Sequence, residues 1–157
     1  MRKIYVAPIA AGVLLALAGT AQAAATKTAG FQVSANVVTN CVISAADMNL
    51  GTFDGTNNLS STSAITVRCT NGTGYVVDLS TGLSGSFANR TLVNGGSSLV
   101  YNLYTAGDFA TIWGDTTSST GRLGGTGAGM GTAQTLTVHG RLLASQNTGP
   151  IDFGTYA

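Results

Sequence analysis

Apolar and polar residues alternate along residues 29–43, where Phe31, Val33, Ala35 and Val37 take every second position and Gln32, Ser34 and Asn36 stand between them. A period of two is that of a strand with one dry and one wet face, and such a strand must find a sheet. The pattern returns in residues 64–70, with Ile65, Val67 and Cys69 on one face, and in Tyr75, Val77 and Leu79. Its longest run is 133–143, where Leu136, Val138 and Leu142 oppose Thr135, Thr137, His139 and Arg141. Residues 87–93, 98–104 and 111–113 are further strand candidates. In 98–104 both faces carry apolar groups, which predicts a strand that is central in its sheet or covered on both sides. A polar stretch, 44–63, is interrupted by Met48, Leu50 and Phe53. Asp54-Gly55, Asn71-Gly72, Asn94-Gly95-Gly96 and Gly107-Asp108 supply turn signals between the runs. Short strands at such regular spacing predict an all-β sandwich.

The first residues depart from this pattern. Arg2 and Lys3 precede an apolar run over 6–18, and Ala21-Gln22-Ala23 is a small-x-small site. These are the three parts of a secretory signal peptide, residues 1–23, and they predict an exported chain that starts at Ala24. No later run is apolar enough to span a bilayer. About 130 residues remain after cleavage, enough for one domain with its own core and too few for two.

Composition agrees with the strand reading, because Gly, Ser, Thr and Asn abound and helix formers such as Glu and Lys are nearly absent. Only 8% of residues are charged. Of the seven basic residues Arg2 and Lys3 lie in the leader, which leaves five against six acidic ones. No basic patch exists to neutralise phosphates, so nucleic acid and anionic membranes are not expected as partners.

Cys41 and Cys69 are the only cysteines, and an exported chain meets an oxidising compartment, so one disulfide between them is expected. On the loop-entropy account such a bridge constrains the unfolded chain by roughly 3 to 4 kcal/mol. A metal or redox site would need a closer pair or a nearby His and carboxylate cluster, and the sequence offers neither. His139 is the only histidine and sits on the polar face of its strand, where a solvated side chain is the simplest role. The six aspartates stand in turns, where Asp folds the backbone back on itself. No acid pair and no Ser-His-Asp or Cys-His grouping emerges, and no cofactor is expected. The glycine-rich run 121–131 lacks both the dinucleotide spacing and the lysine of a phosphate loop, and it reads as a flexible hairpin tip.

The alternating segment before the first cysteine, the disulfide to a second strand, Tyr101-Asn102-Leu103-Tyr104 and then Trp113-Gly114-Asp115 together resemble the spore coat protein U family, which includes the pilins of archaic chaperone–usher pili. The resemblance covers nearly all of the mature chain. It implies an incomplete immunoglobulin-like β-sandwich whose groove is filled by the N-terminal segment of a neighbouring subunit. It also implies a division into a donor segment, 24–40, and a sandwich domain, 41–157, with Phe31, Val33, Ala35 and Val37 as the donor set. The expected partners are copies of the chain or similar pilins, a periplasmic chaperone and an outer-membrane usher, with no nucleic acid and no small-molecule cofactor. In the family the stretch resembling residues 149–156 leads into one more alternating strand. The sequence ends at Ala157 before such a strand, so the groove is expected to lack one of its walls.

The function these features predict is a structural subunit of a bacterial surface pilus, active in adhesion and biofilm formation and carried through the periplasm to the cell surface. Head-to-tail strand exchange is a heterologous contact, and one that does not close makes a fibre. The alternative is a spore-coat or matrix protein that uses the same sandwich without forming pili. An exported hydrolase is disfavoured because no catalytic constellation is visible.

Overall fold

The computed structural model describes residues 27–157, and the predicted signal peptide lies outside the described residues. Residues 36–157 form one compact unit. Its strands are β1 (Cys41–Ala45), β2 (Leu59–Cys69), β3 (Gly74–Val77), β4 (Arg90–Asn94), β5 (Ser97–Tyr104), β6 (Leu123–Thr126) and β7 (Gln134–Leu142). The described residues contain only short 3-10 turns besides these, so the protein is all-β. Five strands make one antiparallel sheet in the order β1-β2-β7-β5-β4, while β3 and β6 pair with each other. This is an incomplete immunoglobulin-like sandwich, with five strands faced by two.

Period-two patterning sets which side chains meet between the layers. Ile65, Val67 and Cys69 of β2 and Val138 of β7 are buried together with Val77 of β3 and Trp113. Cross-strand pairs such as Ile65↔Leu136 and Ser63↔Val138 keep the same parity on both strands, so one apolar face is continuous across them. Two of the three apolar residues in the polar stretch after β1 also find a role. Met48 and Leu50 lie over Gly140 of β7, where any side chain would collide with the Met48 sulfur. The loop therefore supplies part of the cover that a strand would give.

Most of the expected strands are present, with the central position foreseen for 98–104 realised in β5 between β7 and β4. Three expectations change. Of the alternating stretch 29–43, only Cys41, Val42 and Ile43 are in a strand. Residues 111–113 make isolated bridges, Ile112 to Tyr104 and Trp113 to Gly121, because the chain turns back at once instead of running on. The glycine-rich run is not a loose hairpin tip, since it contains β6. The glycines of that run allow close approach: a Cβ at Gly124 would strike the Tyr75 carbonyl oxygen, and one at Gly127 would come within 2.7 Å of the Cys69 Cβ.

Crowding of this kind has a measurable consequence. Gly127→Ala forces backbone movement beside the disulfide and is expected to cost about 1–3 kcal/mol. Gly131→Ala, in open space, is expected to stay within about 0.5 kcal/mol of the parent. Urea unfolding of both variants under oxidising conditions checks the difference.

Candidate functional site

The far end of the sandwich is closed by a polar hub. Arg90, the first residue of β4, is 1% exposed and no carboxylate accompanies it. Its Nε donates to the Ser80 carbonyl at 2.9 Å, one terminal nitrogen to Asn102 Oδ1 at 2.8 Å and the other to the Trp113 carbonyl at 2.7 Å. Asn102 Nδ2 in turn donates to the carbonyls of Phe87 and Ala88 at 2.8 and 3.0 Å. The Phe87 ring centroid lies 5.2 Å from the guanidinium carbon, a cation–π contact. Burial pushes the Arg90 guanidinium below its ordinary pKa, as expected for a cation taken out of water without a counter-charge.

Trp113 ties this hub to both layers. Its indole Nε1 donates to the Val77 carbonyl of β3 at 2.9 Å, and its backbone N to the Leu103 carbonyl of β5 at 2.8 Å. The next residue, Gly114, is pressed against Thr120, whose Oγ1 would lie 2.5 Å from a Cβ placed there. Asp115 then accepts bonds from the backbone and hydroxyl of Thr117, and the Thr117 hydroxyl first holds its carboxyl below the usual carboxylate range. Of the motif residues, Asn102, Leu103, Trp113, Gly114 and Asp115 thus form one connected lock. Tyr101 pairs with Arg90 across β4 and β5, and Tyr104 packs edge-on against Phe109 at 5.3 Å. The motif is architectural. Sequence reading did not single out Arg90, although an arginine opening an otherwise uncharged strand was the available signal.

Asn147 was also missed. Its side chain accepts from the Val100 amide at 2.6 Å and donates to the Val100 carbonyl at 3.0 Å, so it replaces a strand just beyond the last residue of β7. Residues 152–157 are pinned to the β4–β5 hairpin, where Ser97 Oγ donates to the Asp152 carboxylate at 2.6 Å. Val93 and Ala157 exchange both backbone hydrogen bonds, at 3.0 and 3.2 Å.

The opposite end is open. Cys41 and Cys69 are directly paired across β1 and β2 and joined by a disulfide of 2.03 Å, as expected. The core-side residues of β1 are therefore Cys41, Ile43 and Ala45, facing Cys69, Val67 and Ile65. On β2 those positions are buried, whereas Ile43 is 57% exposed. The apolar cover provided by β3 and β6 stops at β2. Strand β3 pairs only with β6 and has no strand on its other side among the described residues.

Residues 27–40 contain no strand, and Phe31, Val33 and Val37 are 87%, 81% and 82% exposed. Other candidates add little chemistry. His139 is half-buried between Thr62 and Tyr104 in its sheet. Arg122 forms an exposed pair with Asp78 that staples the ends of β3 and β6, and the Asp78 carboxylate raises the Arg122 pKa. Among the described residues no group of three or more His, Cys, Asp or Glu side chains could hold a metal ion.

A family model described as the Spore Coat Protein U domain matches residues 27–157. No match is found among curated proteins. Domains of the matched type are structural, of pilus and spore-coat kind, exported to the surface or beyond it, and not enzymes.

Because lysine presents one nitrogen where three fixed acceptors converge, Arg90→Lys is expected to cost about 2–4 kcal/mol. Arg68→Lys, whose parent reaches a single carbonyl, is expected to cost about 1 kcal/mol or less. Urea midpoints of the two variants give the comparison.

Proposed function

The chain belongs to the Spore Coat Protein U domain family, and from that membership we propose that it is a shaft-type subunit of a bacterial surface pilus that polymerises by strand donation. The observation that carries this reading is the mismatch between the two layers. A five-stranded sheet is faced by two strands, leaving Ile43 bare on the core side of β1, while residues 31–37 are an alternating segment outside any strand. Adding an extended segment to a sheet is a known mode of chaperone–pilin recognition, in which ladder bonds give affinity and alternate side chains give register. Phe31, Val33, Ala35 and Val37 of one subunit fill successive pockets of the next, and Gln32, Ser34 and Asn36 face water.

A periplasmic chaperone lends a strand until the next subunit replaces it, and an outer-membrane usher conducts the growing fibre. The segment before residue 41 is the donor, the body from Cys41 onward is the acceptor, and residues 1–23 are the export signal removed on the way. Adhesion and biofilm formation are the roles such a fibre serves. The spore-coat name of the family supports a second reading, a secreted coat or matrix protein that does not form pili. Electron microscopy of the exporting cell separates the two: filaments bearing this subunit support the first, and an amorphous coat the second.

Donation of this segment predicts a phase. Burying three sizeable apolar side chains and one alanine contributes roughly 5 to 9 kcal/mol gross, before ordering costs are subtracted. Val33→Asp and Val37→Asp place a carboxylate in an apolar pocket, at a cost of several kcal/mol. They are expected to abolish donation while leaving chaperone-bound folding intact. Ser34→Asp, on the wet face, is expected to assemble normally. Heat-resistant multimers on gels measure assembly. Normal assembly of Val33→Asp with failure of Ser34→Asp would shift the register by one residue.

A further inference from the structure

We infer that the Cys41–Cys69 bridge is a register lock, which keeps the donor arm free by preventing β1 from sliding along β2. The inference rests on the strand-donor reading and concerns how that same arm is kept available.

Strand register is specified where side chains on one face are buried, and weakly where they are not. All five residues of β1 are exposed, so packing gives this strand little preference for its present position. Its ladder occupies only residues 65–69 of a partner that runs over Leu59–Cys69. The outer edge of β2 therefore has room for a longer partner. The sequence ahead of β1 can supply one, because Val37 shares its parity with Cys41, Ile43 and Ala45. A slide of four residues sets Val37 against Cys69, Cys41 against Ile65 and Ile43 against Ser63. Every inward residue stays inward, and the ladder can lengthen to the whole of β2.

Other contacts mark the present register. Thr70 N donates to the Asn40 carbonyl at 2.9 Å, Asn40 N to Thr70 Oγ1 at 3.0 Å, and Ser63 Oγ to the Ala46 carbonyl at 2.6 Å. Met48 also packs over Gly140. The hydrogen bonds are at exposed positions and compete with water, so they discriminate registers weakly. The disulfide does not compete with water. Any slide breaks all five cross-strand pairs, and at Cys41–Cys69 that pair is a covalent bond, so no slide can occur while the bridge is intact. A slid chain spends Val37 on its own sheet and shortens the arm offered to a neighbour.

Two thiols placed in the mature chain test this. In Cys41→Ser/Val37→Cys the new thiol faces Cys69 only if the chain slides by four, whereas in Cys41→Ser/Val38→Cys it points to the other face. Both are equilibrated with oxidised glutathione, which takes up the two electrons as the bridge closes, and intramolecular bridges to Cys69 are counted by mass spectrometry. A several-fold excess of the bridge from position 37 is expected. Equal yields, which an unfolded chain would also give, overturn the inference. As a second measurement, hydrogen exchange of the amides of residues 37–40 is compared in the unmodified chain with and without dithiothreitol. Slower exchange after reduction is expected, and unchanged or faster exchange overturns the lock. If the bridges form as expected while the oxidised parent makes no multimers, the strand-donor reading fails and the register lock stands.

Discussion

Strand amides and carbonyls must be paired or wetted, and the apolar face of a sheet must be covered. In this protein the space between the layers is closed by the Arg90–Trp113 hub at the β4 end and left uncovered at the β1 end. Strands β2, β7 and β5 are interior to their sheet, with partners on both sides. The β3–β6 pair covers the inward residues of β2 and β7 but leaves Ile43 of β1 bare. A two-stranded layer cannot cover a five-stranded one, and the shortfall has the shape of a strand. On the strand-donor reading, filling it from another molecule would contribute apolar burial and ladder bonds together.

The closed end shows what makes such openness tolerable. Arg90 is buried among neutral acceptors, each a backbone carbonyl or an amide oxygen fixed by its own strand or loop. Satisfied in this way, a buried cation constrains geometry more than it adds stability, because any displaced acceptor leaves charge unpaired in a poorly polarisable site. Ser80, Asn102 and Trp113 come from three separate segments, so the hub holds β4, β5 and the 105–121 loop to one arrangement. Trp113 extends that constraint to β3. With one end fixed in this way, the body can keep its shape although β1 is uncovered at the other.

The sequence made the strand pattern legible because period two survives in the two longest strands, in Ile65-Val67-Cys69 of β2 and Leu136-Val138-Leu142 of β7. It also identified the disulfide, since only two cysteines exist. The hub was harder to read. Arg90 bonds to groups 10, 12 and 23 residues away, none of which its local pattern announces. Asn147 looks like any polar loop residue until it sits beside Val100. The glycines near β6 misled for a related reason: composition reports flexibility, whereas close packing against Tyr75 and Cys69 decides their place. Phe31, Val33, Ala35 and Val37 read clearly as one strand face, yet no strand contains them. Alternation tells which face is apolar and is silent about which chain provides the sheet.

The connection between donor segment and body bears on direction. Asn40 is already tied to Thr70 through its carbonyl and its amide. Only Val38 and Thr39 separate it from Val37, the last donor residue. For the arm to double back on the outer edge of β1, those two residues would have to form a two-residue hairpin turn. Such turns need positive φ, at both central residues in the commonest type and at the first in the other, which is why Gly, Asn and Asp dominate them. Val and Thr are β-branched and resist that backbone region strongly. The junction therefore favours an extended arm over a hairpin, which is the form the strand-donor reading requires. On the strand-donor reading, with the acceptor on the body and the donor on the arm, the contact is heterologous, and repeating it would add subunits in one direction without closing.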